Sequence, residues 1–225
     1  MASYAVIDTE TTGLTDEDEA IEIAIVTQKG YLDSLMKPSR PISFGAMAAH
    51  HIQESDVVGA PDRKVISEII YQTYYEPDLV MVAHNAEYDK KYVPLWMAEL
   101  PWICTYRCAK HMFPQAEGFG NQSLRYELEL DVSDMPEDAG NLPHRALYDA
   151  WVTQALLHKM LKLKTLEELI AMTKEPIILQ KVSFGKHHGQ QWKDVPLGYL
   201  RWARRQDFDE DTLHTIEYHY QRKEI

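Results

Sequence analysis

The first part of the chain shows the pattern of apolar and polar positions that is typical of a β-sheet. Residues 4–8 form an apolar run, which predicts a central strand. In residues 20–27 isoleucines recur at every second position, which predicts a half-buried strand. A third strand is predicted over 30–36 after a short turn, so we expect the chain to begin as an antiparallel meander.

Beyond residue 40 the pattern changes to helices that alternate with short strands. Helices are predicted over residues 43–49, 61–76, 84–97, about 106–112, 123–128 and 145–162. Short apolar runs at 79–83 and 102–105 predict two further strands. A meander followed by strands that alternate with helices predicts an α/β fold, a mixed sheet flanked by helices.

The last quarter of the chain has a different pattern. We predict an α/β domain over residues 1–164, a helix and linker over 165–180, and a small C-terminal segment over 181–225 with two short helices. The turn at 184–189 (FGKHHG) fits either a phosphate-binding turn or a hairpin turn that uses glycine for positive φ. The segment's aromatic residues fit either its own small core or a surface that stacks bases: Trp192, Tyr199 and Trp202.

Composition narrows the class of protein. With 225 residues, 45% apolar and 26% charged, the chain fits one ordinary domain plus a small appendage. No apolar run approaches the length of a membrane span, and the N-terminus lacks the features of a secretion signal, so we expect a cytoplasmic protein without a membrane partner. Cys104 and Cys108 could form a zinc site with His111, but a fourth ligand is missing, and a packed helix explains them better.

The net charge of −12 argues against broad, non-specific coating of nucleic acid. The charge is unevenly distributed, however. Residues 174–205 carry seven Lys or Arg residues against two acids, Glu175 and Asp194, which gives that stretch a net charge of +5. Local electrostatic binding of a polyanion by this part of the chain therefore remains open.

A carboxylate pair follows the first predicted strand. Asp8 and Glu10 are two residues apart, so on a strand they point to the same face at roughly 6.6 Å along the chain. Such a pair is costly unless a cation lies between its members, and hard divalent cations prefer oxygen ligands. A solvated strand end is the alternative interpretation.

Two further clusters lie where a predicted helix begins. The first, at 84–89 (HNAEYD), follows a strand, and the second, at 144–149 (HRALYD), opens the long helix. Taken singly, each has an ordinary explanation: Asn85 as a helix cap, Asp89 and Asp149 as surface acids, and His144 as a loop residue.

Together the three clusters resemble, in order and separation, the motifs of the DnaQ-like 3′→5′ exonucleases of the DEDDh subclass. The matching positions are Asp8 and Glu10 in the first motif, Asp89 in the second, and His144 and Asp149 in the third. Stretches at 41–52, 102–105, 184–186 and 198–202 are similar to the bacterial exonuclease X group of that superfamily. The resemblance implies a ribonuclease H-like mixed sheet, and His51 departs from it at a position where many relatives have glycine.

The chemistry of these residues also supports phosphodiester hydrolysis. Four carboxylates suit two divalent ions, Mg²⁺ or Mn²⁺, about 3.5–4 Å apart. A general base should titrate near neutrality, which favours His144. His144 and Asp149 would be about 140° apart on a continuous helix, so we expect His144 in the loop before the helix and Asp149 on it.

The resemblance also implies which residues hold the substrate's 3′ end. It places Leu14 against the last base and Thr11 and Gly13 near the sugar. It adds three residues around the terminal nucleotide: His50, Asn85 and Tyr88. A buried core leucine is the alternative for Leu14.

We therefore expect a two-metal 3′→5′ exodeoxyribonuclease that releases nucleoside 5′-monophosphates and acts in DNA repair or mismatch repair. The expected partner is DNA with a free 3′ end, single-stranded or duplex. Two alternatives remain: an RNA 3′ exonuclease of the RNase T or oligoribonuclease type, and a polymerase-associated proofreading subunit whose C-terminal segment docks a partner.

Overall fold

The computed structural model describes residues 3–224, and its centre is a five-stranded mixed sheet with strand order β3-β2-β1-β4-β5. The strands are β1 (Tyr4–Thr11), β2 (Ala20–Thr27), β3 (Gly30–Leu35), β4 (Val80–Ala83) and β5 (Trp102–Cys104). The first three pair antiparallel, while β4 and β5 run parallel to β1. The predicted meander and the predicted mixed α/β sheet are thus confirmed.

Helices cover both faces of this sheet. They are α1 (Phe44–His50), α2 (Glu54–Val57), α3 (Arg63–Tyr74), α4 (Leu95–Ala98), α5 (Thr105–Met112), α6 (Asn121–Glu127), α7 (Ala146–Leu161) and α8 (Leu166–Thr173). One core lies between the sheet and α7, around Val6, Val82 and Leu156. The other lies against α3, around Ile7 and Ile70.

The prediction that β2 is half-buried was wrong, because Ala20 through Val26 are all buried. The isoleucines at odd positions face the cores and loops on one side, and α7 packs on the other side. A strand that is covered on both faces needs no polar face, so its alternation does not report solvent exposure.

The predicted helix over 84–97 was also wrong. The chain instead forms a turn, a single 3₁₀ turn at Asp89–Lys91, and the short helix α4. Asn85 lies in the left-handed region at φ 68°, and Pro94 precedes α4, so a continuous helix cannot form. The break matters because it determines where Asp89 lies.

Helix α1 ends at His51, which also adopts a left-handed conformation, with φ 61°. Its N–H closes the helix by bonding to the Met47 carbonyl at 2.9 Å. Glycine adopts this conformation without steric cost, so it suits this position. His51 nevertheless adopts the left-handed conformation in this protein.

Residues up to Thr173 form one compact unit, and those from Lys174 form a second. Helix α8, which we had assigned to a connecting segment, belongs to the first unit because Leu169 is buried in the core beside α7. The second unit contains α9 (Leu197–Ala203), α10 (Glu210–Glu224) and two 3₁₀ turns, Gly185–His187 and Trp192–Asp194. It has its own core, and α10 is longer than the short helix predicted there.

Both cysteines are free and buried, Cys104 at the end of β5 and Cys108 on α5. Within residues 3–224 neither cysteine belongs to a group of side chains close enough to hold a metal ion. The packed-helix interpretation therefore describes Cys108, while Cys104 ends a strand. No helix in the described part of the chain is long and apolar enough to cross a membrane.

Candidate active site

Strand β1 carries the first two acidic residues into a cavity at its carboxyl end. Asp8 and Glu10 are both partly buried, and the antiparallel register places Glu10 opposite Glu22 of β2. Regular pairing is interrupted between Glu10 and Thr11. An irregularity of this kind kinks the strand locally, although Thr11 still pairs with Ala20.

Asp89 reaches the same cavity from the neighbouring parallel strand. It lies in the 3₁₀ turn after β4, and its side chain is only 3% exposed. Its Oδ1 accepts a hydrogen bond from Thr9 Oγ1 at 2.8 Å. Because β1 and β4 are parallel neighbours, the turns after their carboxyl ends meet at one edge of the sheet.

Asp149 lies in the first turn of α7, and its carboxylate is held at both oxygens. Oδ2 accepts the backbone N–H of His144 at 2.8 Å, and Oδ1 accepts from Gln122 Nε2 at 3.2 Å. His144 precedes the helix, as expected from the spacing, and its side chain is exposed. Its backbone is left-handed with φ 63°, a strained conformation for a residue with a Cβ, and the bond to Asp149 helps to hold it.

The five residues line one open cavity of about 340 Å³, together with Asn85 and Tyr88 at its side. The ligand atoms of Glu10, His144 and Asp149 lie within 4.8 Å of one another. Among the described residues this is the one group close enough to hold a metal ion. Asp8 and Asp89 face the same cavity but lie outside that group.

The carboxylates of the cavity repel one another. Burial and the neighbouring charge of Glu22 raise the pKa of Glu10 to about 8, and burial raises the pKa of Asp89 to about 7. Burial, with the charges of Asp89 and Asp149, also raises the pKa of Asp8 well above its usual value. Burial raises the pKa of Asp149 as well. Such clustered negative charge fits a site for divalent cations, which would offset it.

A buried ion pair behind the cavity was not found by the sequence analysis. Glu22 is 1% exposed and accepts hydrogen bonds from Arg145 Nε and Nη2 and, at 3.0 Å, from the Ala146 N–H. It therefore anchors the N-terminus of α7, where a carboxylate is favoured. A charged residue at the centre of the apolar run of 20–27 was the available signal for this role.

A second pocket, of about 290 Å³, adjoins the first and shares Glu10 with it. It is lined by Thr11, Gly13, Leu14, His50 and Tyr88, together with residues of α1. Leu14 is 89% exposed, so the alternative that it is a core residue was wrong. An apolar side chain that projects into solvent beside a pocket is available to contact a ligand.

Polar contacts fix the walls of this second pocket. Thr11 Oγ1 bonds to the Gly13 carbonyl at 2.6 Å and to the Tyr88 hydroxyl at 2.5 Å. His50 is buried: its Nδ1 accepts the Ile52 N–H at 3.0 Å, so its Nε2 carries the proton and donates to the Thr11 carbonyl at 3.2 Å. His50 thus supports the end of β1 at the edge of this pocket.

In the turn after β1, Gly13 lies so close to Asp18 that no larger residue fits there. A Cβ at this position would lie 2.7 Å from Asp18 Oδ2. Asp18 cannot easily move away, because it accepts hydrogen bonds from Thr12 Oγ1 and from the N–H and hydroxyl of Thr15, each at 2.7 Å. These bonds lower the pKa of Asp18 to about 2.

Comparison with known proteins identifies the family. The family model described as exonuclease (RNase T) matches residues 5–157. The chain is 35% identical over 207 residues to exodeoxyribonuclease 10 of Escherichia coli strain K12, covering 88% of each protein. It is 29% identical over 170 residues to an exonuclease of Escherichia phage 186, covering 69% of this chain and 87% of that protein.

A solved structure agrees with these relatives. Exonuclease X in complex with 5′ overhanging duplex DNA superposes with a TM-score of 0.63 and 34% identity, covering 76% of this chain and 99% of that one. The family model and the relatives match the part of the chain that holds all three acidic motifs. The chain belongs to the exonuclease family and is a nuclease of its DnaQ-like 3′→5′ type.

Proposed function

We propose that this protein is a divalent-metal-dependent exodeoxyribonuclease that removes nucleoside 5′-monophosphates from DNA 3′ ends. The observation that carries the proposal is the cavity itself. It combines four mutually repelling carboxylates with an exposed histidine, beside a pocket large enough for a nucleotide. The relatives named for DNA, exodeoxyribonuclease 10 and exonuclease X, favour DNA over RNA. Trimming of 3′ ends is a step in DNA repair, and repair is the role we propose.

The donor set fits two Mg²⁺ or Mn²⁺ ions, since these cations prefer carboxylate oxygen. The residues that would hold them are Asp8, Glu10, Asp89 and Asp149. Burial raises the pKa of all four, and neighbouring carboxylates raise the pKa of Asp8 and Glu10 further, so a cation would offset the cost of their charges. Bound ions would supply positive charge to the phosphate and lower the pKa of an attacking water. The hydrogen bonds from Thr9 to Asp89 and from Gln122 to Asp149 orient the carboxylates.

His144 is the group we assign as general base. Its ring is exposed at the rim of the cavity, and an imidazole nitrogen there can accept the proton of the attacking water. Its backbone is fixed by the N–H bond to Asp149 Oδ2. This bond links the backbone of the proposed base to one of the carboxylates that would hold a cation.

The second pocket is the proposed seat of the 3′ nucleotide. Leu14 would contact the last base, and the Thr11–Gly13 turn would lie near the sugar. Asn85 and Tyr88 would bound the nucleotide on the side of the first cavity. Contacts to a base face and to the sugar carry little sequence information, so we expect weak sequence preference.

Digestion of end-labelled oligonucleotides tests the proposal. We expect mononucleotide release from the 3′ end of DNA with Mg²⁺ or Mn²⁺, none with EDTA, and slower digestion of a matched RNA strand. Equal rates in EDTA would contradict the metal requirement. Faster digestion of RNA would instead support the alternative RNA exonuclease.

Substitution of His144 tests its assignment. His144→Ala should lower kcat for DNA by about 10²- to 10⁴-fold while calorimetry shows little change in Mn²⁺ affinity, because a base is lost and the carboxylates remain. The matched control is His214→Ala, at an exposed position of α10. A kcat close to that of the wild type would remove His144 as the base. A large loss of Mn²⁺ affinity would make it a metal ligand, for which it lies close enough to Glu10 and Asp149.

A further inference from the structure

The second unit, from Lys174 onwards, builds a core of its own and leaves one of its tryptophans exposed. Trp192 is 1% exposed and packs with Val195, Leu200 and Ile216. The core interpretation is therefore correct for Trp192. It is wrong for Trp202, which lies on α9 with 49% of its surface exposed.

Tyr199 is half-buried against this core, and its ring pairs with the exposed ring of Trp202. They are three residues apart on α9, and their ring centroids lie 5.0 Å apart with the planes tilted by 42°. The turn before α9 adds a cation and an imidazole ring. Lys186 Nζ lies 5.4 Å from the centroid of the Tyr199 ring, and the His187 ring lies 4.5 Å from it.

Two glycines shape this arrangement. Gly185 has φ 60°, and a Cβ there would lie 3.0 Å from the Tyr199 hydroxyl, so the turn lies close against that ring. Gly198 precedes Tyr199, and a Cβ at that position would meet open space. The glycine therefore leaves the surface beside the aromatic pair uncovered.

Arginines lie beside the aromatic pair. Gly198, Arg201 and Trp202 have the spacing of one face of α9 and are exposed. Arg205, also exposed, lies in the turn that follows the helix. Arg204 forms an ion pair with Glu217 at 2.7 Å. By contrast, within residues 3–224 no ion-pair partner is found for Lys186, Arg201 or Arg205.

The charge of this region points to a polyanion. Residues 174–205 have a net charge of +5, from seven basic and two acidic residues, whereas the whole chain has −12. Unpaired cations around exposed aromatic rings are the combination by which proteins bind single-stranded nucleic acid, with bases on the rings and phosphates on the cations. A solvated basic surface alone would not require an exposed tryptophan.

We infer that a basic aromatic patch on the second unit binds single-stranded DNA. The patch comprises Lys186, His187, Tyr199, Arg201, Trp202 and Arg205. Bases stack on Tyr199 and Trp202, and phosphates contact the three cations. The inference rests on the proposed DNA substrate. In it, the patch binds the part of the DNA strand that follows the 3′ nucleotide being removed.

Binding of a fluorescein-labelled oligo(dT) to the full-length protein in EDTA, followed by anisotropy, tests this inference. Trp202→Ala should weaken binding of the oligonucleotide about 5- to 100-fold, because it removes a ring on which a base stacks. Trp202→Phe keeps an aromatic ring and should retain most of the affinity. The matched control is Leu213→Ala, at an exposed apolar position of α10.

A second pair of variants keeps the test independent of how Trp202→Ala folds. The double variant Arg201→Ala/Arg205→Ala should reduce the slope of log K against log salt by about 1.4, since each phosphate contact on a single strand contributes about 0.7. Arg222→Ala, which removes an exposed cation of α10, should leave the slope unchanged. Wild-type affinity and slope in both patch variants would overturn the inference and leave the patch as a surface for a protein partner.

Hydrolysis of a thymidine 5′-phosphate nitrophenyl ester with Mn²⁺ separates this inference from the proposed function. The ester carries a single nucleoside and no further strand for the patch to bind, so the patch variants should cleave it at the wild-type rate. Failure of every protein to cleave the ester, with weakened DNA binding in the patch variants, would overturn the proposed activity alone. Normal ester cleavage with unchanged DNA binding would overturn the patch alone.

Discussion

Replacing Asp89 with asparagine should stabilise the metal-free protein at alkaline pH, although it should abolish hydrolysis. Asp89 is 3% exposed and accepts a hydrogen bond from Thr9 Oγ1 at 2.8 Å. An amide oxygen can accept the same bond, so the substitution removes a buried charge and retains the contact. Asp89 needs its negative charge only to hold a cation, so the metal-free protein gains nothing from it.

The size of the effect follows from the pKa of Asp89, which burial raises from 3.8 to about 7. Because the folded-state pKa lies above the unfolded-state pKa, the stabilising contribution of the protonated group is fully present below about pH 4. It is lost as the pH rises through about 7. That difference in pKa between the unfolded and folded states corresponds to about 4 kcal/mol. Asp89→Asn should therefore exceed wild type by as much as about 4 kcal/mol at pH 8 and by almost nothing at pH 4.

Urea unfolding in EDTA, followed by circular dichroism at about pH 4, 6 and 8, measures this difference. Asp78→Asn, which neutralises an exposed carboxylate, is the matched control and should show no such pH dependence. Saturating Mg²⁺ at pH 8 should stabilise wild type more than Asp89→Asn, because ions that bind only the folded state add to its stability.

Two outcomes would refute this reasoning. One is an advantage of Asp89→Asn that is the same at pH 4 and pH 8, which would assign it to packing and not to charge. The other is a variant no more stable than wild type at pH 8 in EDTA, which would mean that burial does not raise the pKa of Asp89 in the folded protein.

Two further predictions concern the surroundings of the cavity. Arg145→Met should lower the free energy of unfolding by about 2–3 kcal/mol in urea denaturation, because buried Glu22 loses its cation. This figure is already reduced for solvent screening, since the Arg145 side chain is 36% exposed. Adding Glu22→Gln should recover part of that loss, and no recovery would contradict the charge argument. Leu14→Ala should change stability by less than about 0.5 kcal/mol, since the side chain is 89% exposed, yet raise KM for a DNA oligonucleotide. Val58→Ala, at another exposed apolar position, is its control, and an unchanged KM would exclude Leu14 from substrate contact.

The elements of the sheet were predictable because each depends on local periodicity. The strands at 20–27 and 30–36 were found within a residue or so of β2 and β3. The helix predicted over 84–97 failed for a local reason too, since Pro94 and the left-handed Asn85 interrupt a favourable apolar pattern. The exposure of β2 could not be predicted, because it depends on what packs against each face.

The candidate site was predictable to a different degree at different residues. Spacing alone placed Asp8 and Glu10 on one face of a strand and His144 in the loop before α7. The role of Glu22 was missed because its partner, Arg145, is 123 residues away in the sequence. His50 was expected around the nucleotide, and the structure shows it buried, bonded to the Thr11 carbonyl and lining the second pocket.

The sequence by itself determined where the strands lie along the chain, which acidic motifs are present and which family they resemble. Period, spacing and residue type are properties of neighbouring positions in the chain. Only the tertiary structure decided which charges meet. Antiparallel pairing brings Glu22 opposite Glu10, and parallel pairing of β4 with β1 brings Asp89 beside Asp8. It also decided that Trp192 is core while Trp202 is surface, since burial depends on what packs against each ring. Charge repulsion and burial act through space, so they follow from the fold and not from the spacing along the chain.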